Sequence, residues 1–106
     1  MFDLTGRVAL VTGAGQHVGA GKGGAIAFMR HLAVENARLG VTANTLALGL
    51  MQPPTGDGTD ALARQIPVGR VGRPEDVGAA CVYLASEEAS WMTGQTIELN
   101  GGSVTT

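Results

Sequence analysis

Thr12-Gly13-Ala14-Gly15-Gln16-His17-Val18-Gly19-Ala20-Gly21-Lys22-Gly23-Gly24 places six glycines in thirteen residues, between an apolar run and a stretch with helical periodicity. A glycine-rich turn from strand into helix lets main-chain N–H groups approach a phosphate, and the start of the helix adds a partial positive charge there. Thr12, Gly13, Gly15 and Gly19 are therefore candidate contacts for a phosphate-bearing cofactor, the competing reading being a plain tight turn. His17 and Lys22 are candidate acid–base groups, since an unperturbed histidine titrates near pH 6.5. Against that stand a solvated loop histidine and a lysine that only opens a helix.

Upstream of the turn, Val8-Ala9-Leu10-Val11 is the continuous apolar run of a parallel strand covered on both faces. Downstream, a helix from Lys22 or Gly23 to Leu39 is indicated by Ala25, Ile26, Phe28, Met29, Leu32, Ala33 and Ala37. At 100° per residue these positions cover an arc of about 180°, where one packing partner needs only about 100°. Gly40 stops the helix, and Val41–Leu48 reads as a second strand. Residues 49–73 form a long connection with a short helix expected from Asp60 to Gln65, capped by Thr59. Pro74-Glu75-Asp76 opens a helix that runs through Ala85, with Val77, Ala80, Cys81 and Leu84 as its apolar stripe. Gln95–Leu99 alternates as a third strand, and Trp91 and Met92 are expected to plug the core beside it.

Composition narrows the function classes. The 106 residues suggest one domain, residues 1–106, and the 17 glycines make its core marginal because each loses more backbone freedom on folding than other residues do. A net charge of −2 with 15% charged residues and no basic run argues against a nucleic-acid or membrane surface. No stretch is long enough to span a bilayer and the first residues lack the layout of a signal peptide, so a cytoplasmic protein is the expectation. The single Cys81 reads as a small core residue, and no residue pattern points to a metal site. His31 and Glu35 read as a surface pair one helical turn apart. Ser86, Ser90 and Ser103 are the only serines, and none stands in a nucleophile elbow.

With those elements in order, Gly6-Arg7-Val8-Ala9-Leu10-Val11-Thr12-Gly13 resembles the opening of the short-chain dehydrogenase/reductase family, whose loop reads T-G-x-x-x-G-x-G. Residues 23–106 resemble that family's closing third, through Ile66-Pro67-Val68-Gly69-Arg70, Arg73-Pro74-Glu75-Asp76-Val77, Tyr83-Leu84-Ala85-Ser86, Thr93-Gly94-Gln95 and Asn100-Gly101-Gly102. The chain thus looks like a truncated member, its two ends joined and its middle absent. The resemblance implies an oxidoreductase with NAD or NADP as cofactor. It also implies a minimal Rossmann-like α/β three-layer unit, with a three-stranded parallel sheet in the order β-α-β-α-β, oligomerised to complete its core.

The departures from the family pattern bear on activity. Lys22 stands where the family's catalytic lysine would be, but the tyrosine position four residues earlier is Val18, and the family's Asn and Ser fall in the missing part. His17 replaces the second glycine of the loop pattern, and Leu48 replaces the proline after the second strand. The expectation is weak NAD(P) binding at the turn without efficient hydride transfer. The alternatives are a small esterase-like hydrolase using His17 or Lys22, at the turn or at a protomer interface, and a non-catalytic assembly module. The expected partner is a second copy, docked through the 23–39 helix and the edge of the 95–99 strand.

Overall fold

The computed structural model describes residues 10–12, 19–53, 55, 56 and 58–105. Strand β1 (Leu10–Thr12) continues the apolar run, whose residues Val8 and Ala9 lie outside the described part. It pairs in parallel with β2 (Thr45–Leu48), Leu10 opposite Thr45 and Thr12 opposite Ala47. On its other side β2 pairs in parallel with β3 (Thr96–Leu99), from Thr45 opposite Thr96 to Leu48 opposite Leu99. The order β1-β2-β3 is the expected three-stranded parallel sheet. Thr45, Leu46 and Ala47 of the central strand are buried, as a parallel strand covered on both faces requires.

Strand β2 begins four residues later than its apolar pattern suggests. The lead-in is bonded to residues 92–95 instead, largely by side chains. Thr93 Oγ1 accepts from the Ala43 N–H at 3.0 Å, while the Gly94 N–H donates to the Ala43 carbonyl at 2.7 Å. Fully buried Asn44 donates through Nδ2 to the Met92 carbonyl at 3.1 Å and accepts from the Gln95 N–H through Oδ1 at 3.1 Å. Only after this stitching does the regular ladder start, with the Thr45 N–H on the Gln95 carbonyl. Thr42, also buried, has a hydroxyl with no partner.

Helix α1 (Gly19–Asn36) starts three or four residues earlier than expected and takes in Gly19, Gly21, Gly23 and Gly24. Its regular part ends where Asn36 Nδ2 turns back to the Leu32 carbonyl at 2.8 Å, the local side-chain bond that competes with helical geometry. A 3-10 turn, Ala37–Leu39, follows and closes on Gly40 at φ +79°, the left-handed conformation a C-terminal glycine supplies. Met29 and Ala33 pack with Ala43 into a buried cluster, with Leu32 beside it. Of the rest of the apolar arc, Ala25 and Ile26 are half-buried, while Phe28 is 60% and Leu39 75% exposed.

The long connection folds back on itself. Gly72 donates to the Leu50 carbonyl at 2.9 Å and accepts from the Gln52 N–H at 2.8 Å. Its short helix, α2 (Thr59–Ala63), is capped by Gly58 and not by Thr59, which is its first helical residue and whose hydroxyl donates to the Gly56 carbonyl. Helix α3 (Pro74–Leu84) opens as expected, with proline first and Asp76 accepting the Arg73 N–H at 2.8 Å. Leu84 is buried, while Val77, Ala80 and Cys81 are half-buried. Trp91 overturns its expectation. It stands fully exposed beyond a 3-10 turn, Glu87–Ala89, and only its neighbour Met92 is partly covered.

The guanidinium of Arg70 grips Asp76 with two bonds, Nη1 to Oδ2 at 2.7 Å and Nη2 to Oδ1 at 3.0 Å. That pairing, with the Arg73 N–H, holds the Asp76 carboxyl well below the usual carboxylate range. A carboxylate depressed in the folded state stabilises it above the ordinary pKa near 4 and loses that contribution as pH falls. Asp76→Asn is therefore expected to flatten the acid limb of a stability-against-pH curve and to leave its shape above about pH 6 unchanged, as read by urea unfolding. Asn44→Ala should lower stability by roughly 1–3 kcal/mol, since it removes two part-buried bonds and leaves the Met92 carbonyl and the Gln95 N–H without that partner. Thr42→Val, which removes an unpartnered hydroxyl, should stay within about 1 kcal/mol of wild type or raise stability.

Candidate functional site

Thr12 is the last residue of β1 and so stands at the carboxyl end of the sheet, where open α/β sheets place their ligands. Gly19 is the first residue of α1. The candidate contacts are thus bounded by a strand end and a helix start, and a helix N-terminus favours an anion. Gly13, Gly15 and His17 lie outside the described residues, as does Val18. Lys22 falls in the first turn of α1, and Val18 directly precedes the helix, so the four-residue spacing from Val18 to Lys22 spans the helix entrance.

The fit to a dinucleotide is partial. A helix that starts shortly after a strand end suits a pyrophosphate, because the positive end of the helix dipole lies there. A dinucleotide also needs a neighbouring strand on the far side of the first one, whose end carries the ribose-selecting residue. Among the described residues β1 pairs only with β2, and no strand covers that other side.

The remaining titratable candidates lie elsewhere. Tyr83, the only tyrosine, belongs to α3 and is half-exposed. His31 and Glu35 are exposed on α1. Cys81 is a half-buried free thiol. Buried Ser86 donates to the Tyr83 carbonyl at the end of α3, which explains its place structurally. Among the described residues no group of three His, Cys, Asp or Glu side chains gathers to hold a metal ion, and no helix is long and apolar enough to cross a membrane.

Sequence reasoning missed a cleft at the same end of the sheet, beyond β2 and β3, between Leu50, Ile66, Val68 and Leu99. No local motif marks it, because its walls come from four separated segments.

Comparison with known proteins adds the family. Residues 4–104 match the family model described as enoyl-(acyl carrier protein) reductase. The chain is 42% identical over 88 residues to the 3-oxoacyl-(acyl-carrier-protein) reductase FabG of Rickettsia conorii and 40% identical to that of Vibrio harveyi. It is 41% identical to nodulation protein G of Azospirillum brasilense. Each match takes in 78% of this chain and 36% of the relative, so the chain spans about a third of the length of the curated relatives it matches. An NADPH-bound short chain oxidoreductase from Pseudomonas aeruginosa PAO1 with an atypical catalytic center superposes with a TM-score of 0.82 at 27% identity, over 94% of this chain and 46% of its own. The match of residues 4–104 and the shared parallel sheet lead to one conclusion, that the chain belongs to the short-chain dehydrogenase/reductase family.

Proposed function

We propose that this chain is a shortened short-chain dehydrogenase/reductase that binds NAD or NADP weakly at Thr12, Gly13, Gly15 and Gly19 and does not turn over carbonyl substrates efficiently. The observation that carries the reading is the placement of Thr12 at a strand end and Gly19 at a helix start, since the N-terminus of a helix that follows a strand favours a pyrophosphate. When bound, the nicotinamide would supply a hydride. The chain's own task would be to orient the cofactor and to deliver a proton to the carbonyl oxygen. Val18 occupies the position from which the family's tyrosine would give that proton, and a hydrocarbon side chain can give none. Lys22 at the helix entrance then has no phenol to assist, so Lys22→Ala should change redox activity little.

The core supports assembly with a second copy. Phe28 on α1 and Leu39 in the 3-10 turn that follows are largely exposed, and half-buried Leu32 lies one helical turn beyond Phe28. The outer edge of β3 carries no partner strand among the described residues. In a chain of this size, each further 400 Å² of apolar surface withheld from water contributes about 10 kcal/mol before association costs, comparable with the net stability of a whole domain.

Calorimetric titration with NADPH and NADH is expected to give dissociation constants of about 0.1–1 mM. An assay of NADPH-dependent reduction of a 3-oxoacyl thioester should show no turnover in the usual range of about 1–1,000 per second. Turnover at such a rate would refute the reading, and loss of all nucleotide binding would refute its cofactor half. Should ester hydrolysis be found instead, its disappearance in His17→Ala would favour the hydrolase alternative. For assembly, Phe28→Asp and Leu32→Asp are each expected to dissociate and unfold the protein together. A folded monomer in sedimentation at micromolar wild-type concentration would contradict that.

A further inference from the structure

We propose that the cleft beyond the carboxyl ends of β2 and β3 is a binding site for a small, uncharged, apolar molecule of about ten non-hydrogen atoms. Its volume is about 260 Å³, and its apolar wall is made by Leu50, Met51, Ile66, Val68, Ala79 and Leu99. An apolar cavity of about 150 Å³ accommodates benzene, so this one suits a molecule somewhat less than twice that size. It opens at the end of the parallel sheet at which such folds take their ligands.

Main-chain bonds, and not side-chain packing across the space, hold the walls apart. Gly72 is tied to Leu50 and Gln52 on one side, and the Val68 N–H donates to the Gly101 carbonyl at 3.1 Å on another. Two glycines keep those walls close where a side chain would intrude. A Cβ on Gly72 would lie 2.6 Å from Met51 Sδ, and one on Gly101, at φ +63°, would lie 2.6 Å from Ile66 Cγ2. The space is therefore built into the backbone and present before a ligand arrives, which lowers the cost of binding.

The polar groups at the rim are already engaged, and this sets the charge of the ligand. Arg70 and Asp76 neutralise each other through their two bonds, and Arg70 also donates to the Val71 carbonyl. Asn100 donates to the Val104 carbonyl at 3.2 Å and accepts from the Gly102 N–H at 3.0 Å. An anion would have to compete with Asp76 for the guanidinium, and a cation with Arg70 for the carboxylate. A neutral molecule faces neither contest. The proposal uses no residue of the glycine turn, so a failed NADPH titration leaves it standing.

Indole and benzoate, each of nine non-hydrogen atoms, separate the possibilities in a nitrogen-15 amide titration of the wild-type protein. Indole should produce saturable shifts centred on the Gly72 and Gly101 amides, and benzoate should bind at least ten-fold more weakly. Ala79 is exposed on α3, so Ala79→Leu is expected to fold while filling the cleft and weakening indole at least ten-fold. Shifts that do not saturate, shifts scattered away from these glycines, equal binding of benzoate, or undiminished binding by folded Ala79→Leu would each overturn the proposal. The comparison of the two probes on wild type decides the matter even if the variant does not fold.

Discussion

The carboxamide of Asn44 is the interaction on which the sheet depends. A parallel pair of strands has no hairpin to set its register, and here β2 and β3 are separated by almost fifty residues of chain. One buried side chain, bonded to Met92 on one side and Gln95 on the other, fixes where the two strands first meet. From that point Thr45 faces Thr96 and every later pair follows. Because a slip of one residue would turn buried Leu46 to the opposite face, the polar lock and the apolar pattern enforce the same answer. The Met29, Ala33 and Ala43 cluster then seats α1 against the residue next to the lock.

The glycine-rich start of α1 has little helical propensity of its own. Four of the first six residues of α1 are glycines, each less favourable in a helix by about 1 kcal/mol than alanine. Open space surrounds the Cα of Gly23 and Gly24, so neither is retained to admit a close neighbour. Buried Met29 and Ala33 anchor the second half of the helix, while Gly23 and Gly24 are exposed. A phosphate contact at Gly19 would thus fall on the least reinforced part of the helix, which agrees with weak binding as the proposed outcome.

Much of the fold was legible because short-range patterns and long-range packing agree. The order of three parallel strands, the Gly40 stop and the proline-led opening of α3 each follow from residues that do locally what the fold needs. The misreadings arose where distant residues intervene. Val41–Asn44 carries a strand pattern, but Thr93 and Asn44 take over the bonding there. Residues 19–21 read as part of the glycine loop by propensity and are helical in context. Trp91 reads as a core plug because it adjoins the third strand, yet the 3-10 turn before it leaves the ring in solvent. The cleft beyond β2 and β3 was invisible, since its lining is gathered from segments as far apart as Leu50 and Gly101.

The exposure of Trp91 has a spectroscopic consequence. It is the only tryptophan, so the indole emission of the protein comes from one site that already lies in water when the chain is folded. Unfolding moves that ring from solvent to solvent and changes its emission maximum little. Intrinsic fluorescence would accordingly be a poor gauge of this fold's integrity, and circular dichroism the better one. The same ring would shift to the blue as soon as another surface covered it, making Trp91 a built-in reporter of contact with whatever settles on that end of α3.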